Sequence, residues 1–263
     1  MKRQVLTDKV RGGLVWLVRQ PPVVRLRQRF PRAATFITDR FNTNYFVGLP
    51  LTLIVLAVLL NLVLLSNLAE SVVEAEWVVQ VDKKLNNLLY SIRSEWVSRV
   101  FYTITWLGDR QAVFVLGALA TIVLLLRRQW TAILAYWVAM GGVGLSVRFG
   151  KKIISRDRPA QDMAYYIVDH FSFPSGHATT SLALVGMLVY FLYRQQETPL
   201  LRRLMVVVGT ILVIMVGFSR MYLGVHYFSD VLAGFLLGGL WLLVGISIVE
   251  VMEYHKQQSN NLR

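Results

Sequence analysis

Residues 204–249 read LMVVVGTILVIMVGFSRMYLGVHYFSDVLAGFLLGGLWLLVGISIV, two apolar runs (204–219 and 231–249) divided by eleven residues that carry Arg220, His226 and Asp230. A helix needs about 20 predominantly apolar residues to cross hydrocarbon. Four further runs stand upstream, near 47–67, 108–126, 130–147 and 178–193, and weakly polar neighbours extend the shorter ones toward that length. The expected fold is all-α: a polytopic membrane protein with six transmembrane helices in one domain over 46–250. Gly234 and Gly238 are four apart, as are many small-residue pairs at which membrane helices approach closely. Met140-Gly141-Gly142-Val143-Gly144 suggests the same close packing rather than a break. No strict internal repeat points to an inverted-repeat transporter.

Composition agrees with this reading. Of 263 residues, 55% are hydrophobic and 16% charged, against about a quarter charged in soluble domains. The net charge is +13, from 28 Lys+Arg and 15 Asp+Glu. In a soluble protein such a balance would suggest nucleic acid. Here the basic residues collect at helix ends and in an N-terminal block, so the expected partner is the bilayer with its anionic headgroups, and nucleic acid is not expected. The absence of cysteine excludes disulfides, thiolate catalysis and cysteine metal sites, and leaves the compartment open.

Residues 1–45 form a basic segment expected in the cytoplasm; its first forty residues hold ten Lys+Arg against Asp8 and Asp39. Leu14–Val18 is too short for a signal core. Leu14, Val15, Leu17, Val18, Val23 and Val24 among arginines suit an interfacial helix broken at Pro21-Pro22, or equally a solvated tail. With this block inside, 68–107 lies outside, Arg127-Arg128 inside, 148–177 outside, Arg194 and Arg202-Arg203 inside, 220–230 outside, and the tail 251–263 in the cytoplasm. The inner turns obey the positive-inside tendency. Arg148, Lys151, Lys152, Arg156 and Arg158 violate it, and phosphate binding would account for them. Val72, Val73, Trp77, Val78, Val81, Leu85, Leu88, Leu89 and Ile92 recur at roughly helical spacing, predicting one or two extracytoplasmic amphipathic helices over 70–100. Shaping substrate access and a purely structural lid are equal alternatives for that segment.

Three stretches carry chemistry. Lys151 is followed seven residues on by Arg158-Pro159. Lysine offers a point charge, arginine a planar fork for phosphoryl oxygens, and proline restricts the backbone beside it. Taken alone, this stretch favours ordinary interfacial anchoring by Lys and Arg over phosphate binding. Next, Ser175 resembles a helix cap, and the N–H groups of a helix start suit an anion that Gly176 lets approach. His177 in the first turn can protonate a leaving oxygen, whereas His170 reads as a packing residue. Finally, His226 and Asp230 share a face if helix begins near His226. The carboxylate would hold one ring nitrogen, leave the other aimed at phosphorus, and stabilise a cationic phosphohistidine. Arg220 would complete a clamp for charge on the equatorial oxygens. A buried structural His–Asp pair has the same spacing. Two histidines and an aspartate can also ligate zinc, but Lys151, Arg158 and Arg220 would repel a divalent cation, so neither metal nor other cofactor is expected.

As a set these residues resemble the type 2 phosphatidic acid phosphatase (PAP2) family: lysine, six residues, Arg-Pro; then Pro-Ser-Gly-His; then Ser-Arg, five residues, His, three residues, Asp. Lys151, Arg158, Pro159, Pro174, Ser175, Gly176, His177, Ser219, Arg220, His226 and Asp230 match throughout, and the resemblance covers about residues 45–250. It implies that His226 is the nucleophile, Asp230 its partner and His177 the general acid, with phosphate held by Lys151, Arg158, Ser175, Gly176 and Arg220. The membrane-bound bacterial branch implies an inner-membrane lipid phosphatase with an outward-facing site. Its substrate would be undecaprenyl pyrophosphate, phosphatidylglycerol phosphate or phosphatidic acid. A lipid phosphotransferase using the same phosphohistidine, a non-catalytic lipid phosphate transporter or binding protein, and a scaffold are the alternatives. Oligomeric state is not legible in the sequence.

Overall fold

The computed structural model describes residues 20, 24–25, 28–43, 45–75 and 77–261. The interfacial-helix reading around Pro21-Pro22 therefore lies, apart from Val24, outside the described residues. All regular structure among the described residues is helical. The chain divides into residues 1–53 and 54–263. In the first, α1 (Pro31–Asp39) has no buried residue and carries Pro31 in its first turn, where a missing N–H costs nothing. The Leu49 N–H then returns to the Asn42 carbonyl at 2.7 Å as α2 (Leu49–Val73) begins.

The second unit holds the rest of α2, then α3 (Trp77–Ser91), α4 (Glu95–Ile104), a 3₁₀ turn (Thr105–Gly108), α5 (Arg110–Leu126), α6 (Trp130–Ile154), α7 (Gly176–Gln195), α8 (Pro199–Tyr222) and α9 (Phe228–Asn261). Five of the described helices are long and apolar enough to cross a membrane. A sixth crossing follows if α4, the 3₁₀ turn and α5, bent by 53°, make one span. The molecule is a multi-pass membrane protein. Its core lies between α5, α6, α7 and α9, where Ala112, Ala135, Ala139 and Ala183 are fully enclosed and let Tyr136, Leu184 and Met187 interdigitate. Polar groups inside that core are paired: Tyr136 donates to the Val113 carbonyl at 3.0 Å and the Trp241 indole to Ser146 at 3.0 Å, as a buried donor requires.

The spacing of Gly234 and Gly238 acts as expected. A methyl on Gly234 would stand 2.7 Å from the Ser175 carbonyl oxygen, and one on Gly238 2.5 Å from that of Thr179. Bare α9 backbone thus presses on the first turns of α7, which brings the two helix starts together.

The helices outrun the apolar runs that predict them. The third crossing extends to Ile154 rather than 147, the fifth begins at Pro199 and ends at Tyr222, and the last starts at Phe228. Hydropathy stops at Lys151, Arg220 and Asp230, but these groups are helical because protein partners, not lipid, surround them. The 70–100 segment also differs in detail. The buried stripe of α3 is Val78, Asp82, Asn86 and Leu89, while Trp77, Leu88 and Ile92 are exposed. Asp82 and Asn86 join Val78 and Leu89 on the face toward the protein, while the exposed face mixes Trp77, Leu88 and Tyr90 with Gln80, Lys83, Lys84 and Asn87.

Candidate active site

The three chemical stretches meet where α6, α7 and α9 begin or end. His226 precedes α9 in a tight turn in which Gly224 takes φ +68°, a conformation glycine adopts without strain. Its backbone N–H reaches the Arg220 carbonyl at 3.2 Å. The ring is 2% exposed, and its Nε2 lies 3.2 Å from Arg158 Nη1. Arginine has no acceptor, so Nε2 must be the bare nitrogen and Nδ1 carries the proton. Nδ1 faces Ser172 Oγ at 3.3 Å and Asp230 Oδ2 at 3.4 Å. Burial drives the His226 pKa down to about 3 against the opposing pull of Asp230, with Arg158 and Arg220 lowering it further. At neutral pH the ring is uncharged, and its Nε2 lone pair accepts from Arg158.

Asp230 is fully buried and sits in the first turn of α9, so the pair shares a face although helix begins two residues later than His226. The carboxylate is fixed on every side. Oδ1 accepts from Arg156 Nη1 at 2.6 Å; Oδ2 accepts from the Tyr227 N–H at 2.9 Å and from the Ser172 hydroxyl. Its backbone carbonyl accepts from the Ser175 N–H at 2.9 Å, tying the start of α7 to α9.

Arg158 is spread over the backbone. Nε donates to the His170 carbonyl at 2.8 Å, Nη1 to Val225 at 2.6 Å and Nη2 to Phe171 at 3.3 Å. Burial first, and then Arg220 nearby, lower its pKa from the ordinary value. Lys151, near the end of α6, donates to the Phe171 carbonyl, and its charged neighbours are Arg158, Asp230 and Arg220. Arg220 is 1% exposed. Its Nη1 donates to Thr105 Oγ1 at 2.9 Å and to the Tyr166 hydroxyl, while Nε has no partner among the described residues. His177 lies in the first turn of α7 near the charges of Arg220, Arg158 and Lys151 and beside the His226 ring, with Gly108 against its backbone. Ser175 caps α7, its Oγ 3.5 Å from the Ala178 N–H, and Gly176 meets only Val147 within 4 Å of a notional methyl. The first-turn N–H groups of α7 have no acceptor within the helix.

Three cations and a helix start beside two imidazoles give this region a positive field that suits an anion. Among the described residues no group of three or more His, Cys, Asp or Glu is placed to hold a metal ion.

Several participants are not visible in the sequence. Arg156 is one cation among five in its stretch, and Asp82 sits in a segment whose pattern is read from its apolar positions. Nothing in the spacing marks Ser172, Ser229, Thr105 or Tyr166. The one available signal is the polar stripe Asp82–Asn86 in register with buried Val78.

A family model described as the PAP2 superfamily matches residues 130–252. Phosphatidylglycerophosphatase B of Bacillus subtilis (strain 168) is 32% identical over 168 residues, 61% of this chain and 79% of that protein. An uncharacterized 22.5 kDa protein of the Klebsiella pneumoniae cps region is 28% identical over 135 residues, 51% of this chain and 62% of its own length. Among solved structures, the transmembrane PAP2-type phosphatidylglycerolphosphate phosphatase from Bacillus subtilis superposes with a TM-score of 0.65 at 28% identity. It covers 74% of this chain and 96% of that one. Aquifex aeolicus LpxE superposes with a TM-score of 0.50 at 23% identity, over 64% and 93% of the two chains, a likeness of fold alone.

Proposed function

The chain belongs to the PAP2 superfamily as a membrane-embedded phosphatase, and we propose that it hydrolyses a lipid phosphate or pyrophosphate without a metal, through a phosphohistidine on His226. The candidate substrates are phosphatidylglycerol phosphate, undecaprenyl pyrophosphate and phosphatidic acid. The first is favoured by the activity named for the Bacillus subtilis relative. The site faces the outside of the bacterial inner membrane, with both termini in the cytoplasm, and the lipid tail stays in hydrocarbon while the headgroup meets the cations.

The placement of the groups supports the following chemistry. Lys151, Arg158 and Arg220, with the helix start at Ser175-Gly176, hold the phosphoryl oxygens and spread the charge that builds on them in transfer. Nε2 of His226 attacks phosphorus as the P–O bond to the lipid breaks, and His177 gives its proton to the leaving oxygen. Asp230 stabilises the cationic phosphohistidine through the Nδ1–H side. Water, deprotonated by His177, then attacks phosphorus, the N–P bond breaks, and inorganic phosphate leaves.

The observation that carries this reading is the bare Nε2 of a neutral, buried His226 at 3.2 Å from the Arg158 guanidinium. The test is phosphate release by purified protein from each candidate lipid in excess chelator, with His226→Ala alongside. Release in chelator, lost in the variant while the variant still binds lipid, supports the reading. Activity abolished by chelator and restored by a metal, or a fully active His226→Ala, overturns it.

A further inference from the structure

Asp230 is the carboxylate behind the proposed nucleophile, yet it does not bear on His226 alone. Arg156 donates to it at 2.6 Å, and the second arm of the same guanidinium donates to Asp82 Oδ2 at 2.7 Å. The Asp82 and Asp230 carboxylates are fully enclosed, and the Arg156 side chain nearly so. Ser229 closes the ring: its hydroxyl accepts from Arg156 Nη1 at 2.7 Å and donates to Asp82 Oδ2 at 2.5 Å, while its N–H reaches Asp82 Oδ1 at 2.9 Å. The Arg156 guanidinium also lies 4.3 Å from the Tyr227 ring centre. Burial opposes the charge of Arg156, but Asp230 and Asp82 more than offset it, and its pKa is raised.

Two carboxylates thus share one guanidinium in an enclosed ring. An unshared arginine on Asp230 would neutralise it, and a neutralised carboxylate would do little for a cation forming on the imidazole. A second carboxylate on the far side of Arg156 restores a net negative charge to the ring while the arginine still fixes the position of Asp230. Such charges interact strongly because the site has low dielectric. Asp82 lies on α3, outside the 130–252 stretch that the family model matches, so the family motifs do not supply it.

We infer that Asp82 and Arg156 are positioning residues for the phosphatase reaction. Together they hold the Asp230 carboxylate in place and keep it anionic, so that it can stabilise the phosphohistidine. The inference rests on the proposed role of His226. It also gives α3 a part in the chemistry, because that helix delivers a buried acid to the back of the site and is more than a cover over it.

The test is Asp82→Asn, which keeps the side-chain shape and removes the charge, beside Arg156→Lys and the exposed-loop control Asp169→Asn. Each is assayed for kcat, KM and Tm, and for labelled phosphohistidine trapped during turnover. Asp82→Asn is expected to lower kcat on the order of 10- to 100-fold, the usual scale for losing a group behind a reacting side chain. Its KM should stay close to that of the native chain, and less label should be trapped per folded molecule. Its Tm should fall, because the amide turns a donor toward donors and leaves Arg156 half-paired. Arg156→Lys, which cannot bridge two carboxylates in one plane, should fall similarly, and Asp169→Asn should not change. A kcat for Asp82→Asn equal to the native value overturns the inference, as does a loss that only tracks falling Tm and folded fraction. If the native chain turns over with no label on His226, the phosphohistidine reading fails, while the kcat comparison still decides the role of Asp82.

Discussion

His226 can attack phosphorus only as a neutral imidazole, and burial keeps it neutral down to about pH 3. Its protonation therefore does not set the acid limit of activity near the ordinary histidine range. Stability depends on the same shift. Between about 3 and the unperturbed 6.5 the unfolded ring binds a proton that the folded ring does not, so acidification through that window favours unfolding. Tm measured from neutral pH to about pH 5 should fall more steeply for the native chain than for His226→Gln; equal slopes would contradict the burial argument. For activity, His226→Ala should cost on the order of 10³-fold or more if His226 is the nucleophile. Arg158→Lys, which forfeits a fork that reaches three carbonyls and Nε2, should cost roughly 10²-fold in kcat. The motif residues are legible in the sequence because phosphate chemistry demands particular side chains at fixed spacing. Ser172, Asp82 and the Thr105–Tyr166 pair that holds Arg220 are not. Nothing local forces a serine or an acid to face inward, and only the tertiary fold brings residues 54 to 147 positions apart into hydrogen-bond range.

Helices bring these groups together through close backbone contacts. α9 presses Gly234 and Gly238 against the first turns of α7, and the 3₁₀ turn after α4 presses Gly108 against His177, where a methyl would stand 2.7 Å from the His177 carbonyl oxygen. Gly234→Leu should destabilise the fold by about 1–3 kcal/mol, the cost of overpacking a filled contact, and separate Ser175 from Asp230. Gly108→Ala should shift His177 and lower kcat with a smaller change in Tm. A Gly108→Ala variant with native kcat would show that the turn does not position His177. Apolar runs make the spans legible, and Gly234 with Gly238 makes one contact legible. The ends of the helices are not, because Lys151, Arg220 and Asp230 stop a hydropathy run without stopping a helix whose charged groups find partners in protein.

At the scale of the molecule, the catalytic groups are proposed to lie at the outer face and the basic turns inside. The chain has no cysteine, so single cysteines report on this directly. In intact cells an impermeant maleimide should label Asp162→Cys and spare Arg128→Cys, and the reverse pattern would invert the orientation. The central claim is that the phosphoryl group passes through His226. Its most direct measurement is rapid alkaline quenching during turnover of a ³²P-labelled lipid phosphate in nanodiscs, followed by mass mapping of the labelled site. Label is expected on His226, formed before phosphate is released and absent from His226→Ala. Sustained phosphate release with no label on His226, or with label on another residue, would contradict the claim.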